Sequence, residues 1–210
     1  MGYSVDAWRR RIQYRNDLSG YVYHLTKSSI DEDGNQVMSA LDRLLKIIKE
    51  RKLNGSSTES GFITGNQKAI CFQDAPISGI VQNVAHENTY RQELGGKVRY
   101  TYVGLAFPKP YIFQNGGRPV FYEEKEKAKR ILPPEEHWRI VDYSLLNENN
   151  IIDWTHEREW RMPRNEFYFE IPKATILLPN QELYVELLAK LSKEELQEFF
   201  GFIQISPLIY

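Results

Sequence analysis

Apolar side chains follow two different spacings in the first third of the chain. Residues 21–25 (YVYHL) are rich in β-branched and aromatic side chains and follow a Leu-Ser-Gly turn signal, so they predict an early strand that carries His24. Residues 39–55 change to the three-to-four-residue spacing of a helix with one apolar face, and Gly55 is its expected stop. That face is formed by Leu41, Leu44, Leu45 and Ile48.

The next stretch loses this pattern. Residues 54–67 (NGSSTESGFITGNQ) are dense in Gly, Ser and Thr and predict a mobile loop, with closure over a ligand as a hypothesis. Residues 69–72 predict a short strand, and residues 77–83 are consistent with the start of a second helix.

Strand-like patterns dominate the middle of the chain. Residues 98–107 and 118–122 predict two strands joined by a loop or hairpin turn at Asn115-Gly116-Gly117. The remaining predicted strands are 137–141, 166–171, 174–178 and 202–205.

Two helices are predicted near the C-terminus. They cover residues 181–191 and 193–200, and Ser192 with Glu195 forms a capping-box signal for the second. The order of elements indicates an α+β fold with a mixed or antiparallel sheet: one helix follows the first strand, then come mostly strands, and short helices end the chain. A length of 210 residues indicates a single domain, 1–210.

Composition indicates an ordinary globular protein rather than a disordered or fibrous one. The chain is 41% hydrophobic and 26% charged, as ordinary globular proteins are. A single cysteine, Cys71, and a start without the apolar core of a signal peptide point to the cytoplasm. No stretch approaches the roughly 20 apolar residues that span a bilayer, so no membrane partner is expected.

Charge gives little support to nucleic-acid binding on its own. The net charge is −1, whereas non-specific binding depends on clustered Lys and Arg. Arg9-Arg10-Arg11 is a local basic cluster, and residues 123–130 alternate Lys and Arg with Glu, which favours a solvated helix face.

Candidate chemistry concentrates in residues 153–163 (DWTHEREWRMP). Glu157 and Glu159 stand two residues apart, so on a strand both would face the same side, whereas in a loop that leads into a strand only the second is fixed. Such a pair can orient a sugar hydroxyl and stabilise a developing cation. The alternative is a half-exposed strand whose Glu and Arg side chains pair with each other.

Other chemistries find less support. No metal site is expected, because the four histidines are scattered and there is only one thiol. No P-loop and no Gly-rich dinucleotide motif is present. Cys71 lies in a short apolar strand, which favours a buried inert thiol over a nucleophile with His24 as its base.

Four islands of sequence together resemble a known family. YHLTKSSI, SALDRLLKIIKERKLNG, AICFQDAP and HEREWRMP follow the layout of DarT-like ADP-ribosyltransferase toxins and related abortive-infection (AbiGi-like) phage-defence proteins. The resemblance extends over about two thirds of the chain, but only as these short islands. The resemblance implies an ADP-ribosyltransferase-like fold and transfer of ADP-ribose from NAD to a macromolecule, with nucleic acid or protein as acceptor and an antitoxin as a further partner.

The resemblance also implies roles for individual residues. Glu159 matches the catalytic glutamate that precedes an apolar residue, and Glu157 completes a Glu-x-Glu pair. His24, with Thr26 beside it, matches the histidine that contacts the NAD ribose or amide. Either Arg99 or Arg118 would hold the pyrophosphate. A stacking surface for nicotinamide would come from Tyr100, Tyr102, Phe113, Phe121 and Tyr122.

The chain departs from that layout at residues 31–36 (DEDGNQ), a polar insertion between the first strand and its helix. A second similar group of bacterial proteins carries a Trp-x-x-Glu-x-Glu-Trp-Arg-like segment, which matches Trp154 and residues 157–161. Two other functions stay open: an NAD hydrolase that uses the same site, and a non-catalytic module, antitoxin or sensor, that binds a nucleotide or protein.

Overall fold

A mixed sheet with helices on both faces organises the chain. The computed structural model describes residues 2–56, 58, 63–93, 95–96 and 98–209. Within these residues the strands are β1 Tyr21–Leu25, β2 Ser29–Ile30, β3 Gln36–Met38, β4 Lys52–Asn54, β5 Ile70–Gln73, β6 Gly104–Pro108, β7 Arg118–Pro119, β8 Phe121–Glu123, β9 Ile140–Asp142, β10 Glu159–Met162, β11 Glu166–Tyr168, β12 Thr175–Leu178 and β13 Gly201–Gln204.

Most of the helices are short. The α-helices are α1 Val5–Gln13, α2 Ala40–Glu50, α3 Ile77–Thr89, α4 Lys109–Gln114, α5 Lys125–Ile131, α6 Gln181–Lys190 and α7 Lys193–Glu198. Shorter 3-10 turns lie at Pro134–Arg139, Thr155–Glu157, Ile171–Lys173 and Ser206–Leu208.

Seven strands form the main sheet in the order β13-β12-β6-β1-β5-β10-β7. The β12–β13 pair is parallel, and the other neighbours are antiparallel. The predicted α+β class with a mixed sheet is therefore confirmed.

The two faces of this sheet pack differently. On one, called the α2 face, Val22, Phe72 and Leu105 belong to the large apolar cluster that includes the buried side of α2. On the other, called the α3 face, Tyr23 and Ala106 belong to a smaller cluster with residues of α3. The alternation follows from the two-residue period of a strand, and it leaves part of the α3 face to polar side chains.

Helix α2 begins as its sequence predicts, because the Ser39 side chain accepts a hydrogen bond from the Asp42 amide. Its predicted extension to Gly55 is wrong. The helix ends at Arg51, whose φ of 49° lies in the left-handed region. Residues 52–54 then form β4, which pairs with β11 across more than a hundred residues of sequence. This distant pairing overrides the local helical pattern.

Of the two alternatives predicted for residues 115–117, the structure has the loop and not the hairpin. Helix α4 follows β6 directly, with Pro110 in its first turn, where a missing amide costs nothing. Strand β7 then pairs with β10 rather than with β6. Only residues 104–108 of the predicted 98–107 strand pair in the sheet.

Several other predictions are confirmed with small shifts of boundary. They are β1, β5, β11, β12 and β13, the helices α3, α6 and α7, and the capping box of Ser192 and Glu195. The predicted strand 137–141 is mostly a 3-10 turn followed by β9.

The predicted mobile loop and the expected lack of a membrane span are the two remaining expectations. Within the predicted loop 54–67, residues 57 and 59–62 lie outside the described residues, so the closure hypothesis stays a prediction. Among the helices that the structure describes, none combines the length and apolarity that crossing a membrane requires.

Candidate functional site

A buried ion pair marks the start of β10. Arg161 donates from Nε to Glu159 Oε1 at 2.8 Å and from Nη2 to Oε2 at 3.0 Å. Its Nη1 donates to the carbonyl oxygens of Trp138 at 3.0 Å and Ile140 at 2.9 Å. Glu159 is 8% exposed and Arg161 3%. The carboxylate is thus held in a fixed orientation by a planar, two-point contact.

The backbone of Glu159 is fixed as well. Its amide donates to the Tyr122 hydroxyl at 2.8 Å, and its carbonyl accepts from the Val120 amide at 3.0 Å. Burial raises the pKa of the Tyr122 phenol, and the Glu159 carboxylate raises it further. Tyr122 therefore stays protonated beside Glu159.

Glu157 occupies a different environment two residues earlier. It ends the 3-10 turn Thr155–Glu157, and Arg158 then takes a left-handed φ of 47° before β10 begins. Burial raises the pKa of the Glu157 carboxyl to about 8, repulsion from Glu159 adds to this, and the neighbouring Tyr100 hydroxyl lowers it. Two carboxyl groups two residues apart thus have different surroundings, one buried and paired, the other protonated near neutral pH.

Polar side chains under α3 surround Glu157. Asn83 donates from Nδ2 to Gln73 Oε1 and to the His156 carbonyl, both at 3.3 Å. The Tyr100 hydroxyl is buried beside the Glu157 carboxyl and the Gln73 side chain. Burial raises the pKa of this phenol, as do the carboxylates of Glu157 and Glu87.

His24 does not lie with this group. Tyr23 is registered with Gln73, and Gln73 with Glu159, so these three side chains share the α3 face. His24, the neighbour of Tyr23, is registered with Leu105 and lies edge-on to Phe72 on the α2 face. The expectation that His24 and Glu159 hold one NAD molecule together is therefore corrected, because the register puts their side chains on opposite faces.

His24 instead bridges a gap in the sheet. The β1–β5 ladder has a single registered pair, Tyr23 with Gln73, and beyond it His24 Nδ1 contacts the Cys71 carbonyl oxygen at 2.9 Å. Burial lowers the pKa of the imidazole, so the neutral ring is favoured and Nδ1 is the donor.

Thr26 has a structural position. Its hydroxyl lies 3.0 Å from the Ala40 carbonyl and 3.0 Å from the Val103 carbonyl, and the side chain is buried. These contacts join the end of β1 to the start of α2.

Both predicted pyrophosphate arginines have partners within the chain. Arg99 pairs with the buried Glu87 at 2.6 Å and lies over the Trp154 ring at 4.8 Å. Arg118 donates to the Phe113 and Gly117 carbonyls at 2.8 and 2.7 Å and stacks on the Phe113 ring. Both guanidinium groups are engaged within the chain.

The predicted stacking aromatics are likewise dispersed. Tyr100 and Tyr122 lie beside the carboxyl groups, whereas Phe113 lies edge-on to Trp160, and the Tyr102 hydroxyl contacts the Val81 carbonyl at 3.5 Å. No single stacking surface gathers these rings.

Cys71 lies opposite Arg161 in the β5–β10 ladder and beside Glu159. Burial raises the pKa of its thiol well above the usual range, and the Glu159 carboxylate raises it further. Because the thiolate is the nucleophilic form, a thiol that stays protonated is a poor nucleophile. This agrees with the inert role that its sequence context favours.

Sequence reasoning missed Gln73, Asn83 and Glu87. Their only signal is that Gln73 ends an apolar strand, and that Asn83 and Glu87 stand four residues apart on one side of α3. Among the residues that the structure describes, no group of three or more His, Cys, Asp or Glu side chains is arranged to hold a metal ion.

Comparison with known proteins gives no relatives. No protein-family model, no curated protein sequence and no solved structure matches the chain.

Proposed function

We propose that the chain is a cytoplasmic, ADP-ribosyltransferase-like enzyme that transfers ADP-ribose from NAD to a macromolecule in a bacterial toxin or phage-defence setting. The observation that carries this proposal is the unequal carboxyl pair on the α3 face. Glu159 is fixed by Arg161, and Glu157 beside it has a pKa raised to about 8. Groups with such different environments serve different steps of one reaction.

The chemistry assigns the first step to Glu159. When the bond between C1′ of the ribose and the nicotinamide nitrogen breaks, its electron pair leaves with neutral nicotinamide, and positive charge develops on the sugar. A carboxylate that is already oriented stabilises that charge without reorganising. Arg161 fills one lone-pair direction on each Glu159 oxygen, and a carboxylate has further directions left for a ribose hydroxyl.

Glu157 is suited to the second step. The acceptor attacks C1′ with a lone pair of nitrogen or oxygen and then has to lose a proton. The ionised fraction of Glu157, which grows as the pH approaches about 8, takes up that proton as a comparatively strong base. The charge on C1′ is removed by the new bond, and the proton ends on Glu157.

His24 and Thr26 have no part in this proposed site. Their positions on the α2 face and at the start of α2 favour structural roles. If NAD is the substrate, the groups that orient it belong to the α3 face, near Glu157 and Glu159.

The test is product analysis with labelled NAD. Purified protein is incubated with NAD carrying label on the adenylate, together with DNA, RNA or a protein lysate in separate reactions. Label on one class of polymer, absent with Glu159→Gln, supports the transferase and names its acceptor. Free ADP-ribose without labelled polymer instead supports an NAD hydrolase, which has water as its acceptor.

A second candidate is a non-catalytic module that binds a nucleotide or a protein, such as an antitoxin or a sensor. One observation favours it: Glu159 and Arg161 form a closed buried pair, and such pairs also occur as purely structural elements. Binding of NAD or ADP-ribose without release of nicotinamide under any condition would select this candidate over the enzyme.

A further inference from the structure

The two ends of the main sheet are protected very differently. At one end, β7 consists of only Arg118 and Pro119, and the Arg139 side chain donates to the Pro119 carbonyl. A very short strand, a proline and a charged side chain are devices that keep a sheet edge from pairing with another strand. This end of the sheet is therefore poorly suited to take a further strand.

At the other end, β13 lacks these devices. It is four residues long, and residues 199–205 (FFGFIQI) contain no charge and no proline. Within the part of the chain that the structure describes, β13 pairs with β12 on one side and with no strand on the other. An edge strand presents a row of amide and carbonyl groups on its open side. Strand β13 thus offers backbone hydrogen-bonding groups that a further strand can fill.

Apolar side chains border this open edge. The Phe202 ring lies 5.9 Å from the Tyr184 ring of α6 and 6.2 Å from the Phe199 ring, between centroids. Leu188 stands one turn after Tyr184 on α6. Phe202 and Leu188 are exposed in part, and Phe200 is 67% exposed. An aromatic ring that its neighbours hold in place is a typical anchor of a protein interface.

We propose that β13 is a dimerisation edge, at which β13 of a second copy of this chain pairs antiparallel and joins the two sheets into one. A twofold axis perpendicular to the sheet reverses the strand direction, so the same four residues supply both strands. This axis also keeps the α2 faces of both copies on one side, where Phe202 and α6 of one copy meet their equivalents in the other. The inference does not depend on the proposed function.

The distribution of charge favours a second copy as the partner. Because residues 199–205 are uncharged, pairing this strand with itself sets no like charges opposite each other. Glu198, the nearest charge in sequence, pairs with Arg51 of the same chain. Since β7 at the far end is poorly suited to take a strand, association stops at two copies instead of continuing into a filament.

The test measures mass against concentration by analytical ultracentrifugation of the 210-residue chain. Wild type is expected to approach twice the 24.7 kDa of one chain as its concentration rises through the micromolar range. Gln204→Lys puts a charge on the edge, and Phe200→Lys replaces an exposed apolar side chain with a charged one. Each is expected to raise the dissociation constant of the dimer at least about tenfold.

Val37→Lys is the matched control. Val37 is 68% exposed and lies on the two-stranded β2–β3 sheet, so this variant introduces the same charge at the same exposure on a different strand. It should dimerise like wild type. Far-ultraviolet circular dichroism checks that each variant is folded, and Gln204→Lys carries the test if Phe200→Lys is not.

Three other outcomes would overturn the inference. A wild type that stays monomeric throughout this concentration range would leave the edge to a strand of another protein. A dimer that the folded Gln204→Lys and Phe200→Lys variants both retain would mean that the two copies meet at another surface. Equal weakening of the dimer by Val37→Lys would mean that the loss is not specific to β13.

Discussion

Arg161 donates two hydrogen bonds, of 2.8 and 3.0 Å, to the Glu159 carboxylate, and both side chains are buried. The alternation of side chains along β10 puts both on the α3 face, and Nη1 of Arg161 donates to the Trp138 and Ile140 carbonyls. The pair gives the site a fixed anion and makes its stability sensitive to the loss of either partner.

Loss of the cation should be costly. Arg161→Met leaves the Glu159 carboxylate buried without its counter-charge, which is expected to lower the free energy of unfolding by about 3–5 kcal/mol. Arg51→Met is the matched control, because its ion pair with Glu198 is exposed at the surface. That change should cost at most about 1 kcal/mol. Urea unfolding of both variants measures the contrast, and equal losses would contradict a special role for the buried pair.

Glu157 should make stability depend on pH with a definite sign. The unfolded carboxyl releases its proton near its ordinary pKa of 4.5, whereas the folded one keeps it to about 8. Between these values the folded state binds more protons, so the free energy of unfolding falls as pH rises, by roughly 3–5 kcal/mol. Glu157→Gln does not titrate, so it should be more stable than wild type above pH 8 and show little difference near pH 4.

The control for this pH dependence is Glu166→Gln. Hydrogen bonds from Lys52 and Tyr168 lower the pKa of the Glu166 carboxyl, so its contribution is present above the unfolded pKa and lost on acidification. That variant should therefore be less stable than wild type at neutral pH, with the difference closing as the pH falls. Thermal unfolding from pH 4 to 9 follows both variants, and a Glu157→Gln curve parallel to wild type would refute the raised pKa.

The opposite faces of His24 and Glu159 predict independence. In a double-mutant cycle of His24→Gln and Glu159→Gln, the changes in unfolding free energy should add to within about 0.5 kcal/mol. The same cycle for Glu159→Gln and Arg161→Met should depart from additivity by about 1–3 kcal/mol, because those side chains touch. Strong coupling between His24 and Glu159 would mean that they share a site after all.

A glycine sets the approach of β1 and β6. A Cβ on Gly104 would lie 2.4 Å from the His24 carbonyl oxygen, whereas one on Gly201 would meet nothing within 4 Å. Gly104→Ala should cost about 1–3 kcal/mol of unfolding free energy because backbone has to move. Gly201→Ala should change it by no more than about 0.5 kcal/mol. Equal effects in urea unfolding would show that the β1–β6 spacing is not constrained at Gly104.

Local pattern predicts those parts of the fold whose causes are local. The apolar spacing predicts where α2 begins, and the strand YVYHL matches β1. The end of α2 depends on the pairing of Leu53 with Phe167, which no local window contains. The local pattern likewise does not decide between a hairpin and a loop at Asn115-Gly116-Gly117. Strand β7 pairs with β10 rather than with the preceding strand, and β10 is distant in sequence.

The candidate site likewise has a part that local sequence predicts and a part that depends on distant pairing. Glu157 and Glu159 are found from sequence because their charge and spacing are local. Which face they share with Tyr100 and Gln73, and which face His24 takes, is decided by register between strands distant in sequence. The sequence leaves open a half-exposed strand whose Glu and Arg side chains pair with each other. Glu159 and Arg161 do pair, but the strand that carries them is buried.

Release of nicotinamide from NAD is the most direct test of the central claim. Wild type, Glu159→Gln and the surface control Glu166→Gln are each checked for folding and incubated with NAD and pooled nucleic acid and protein acceptors. The account predicts release by wild type and Glu166→Gln, and a loss of at least about 100-fold for Glu159→Gln, comparable to removal of one preorganised electrostatic group. Equal release by folded Glu159→Gln and wild type, or none by wild type with any acceptor, would contradict it.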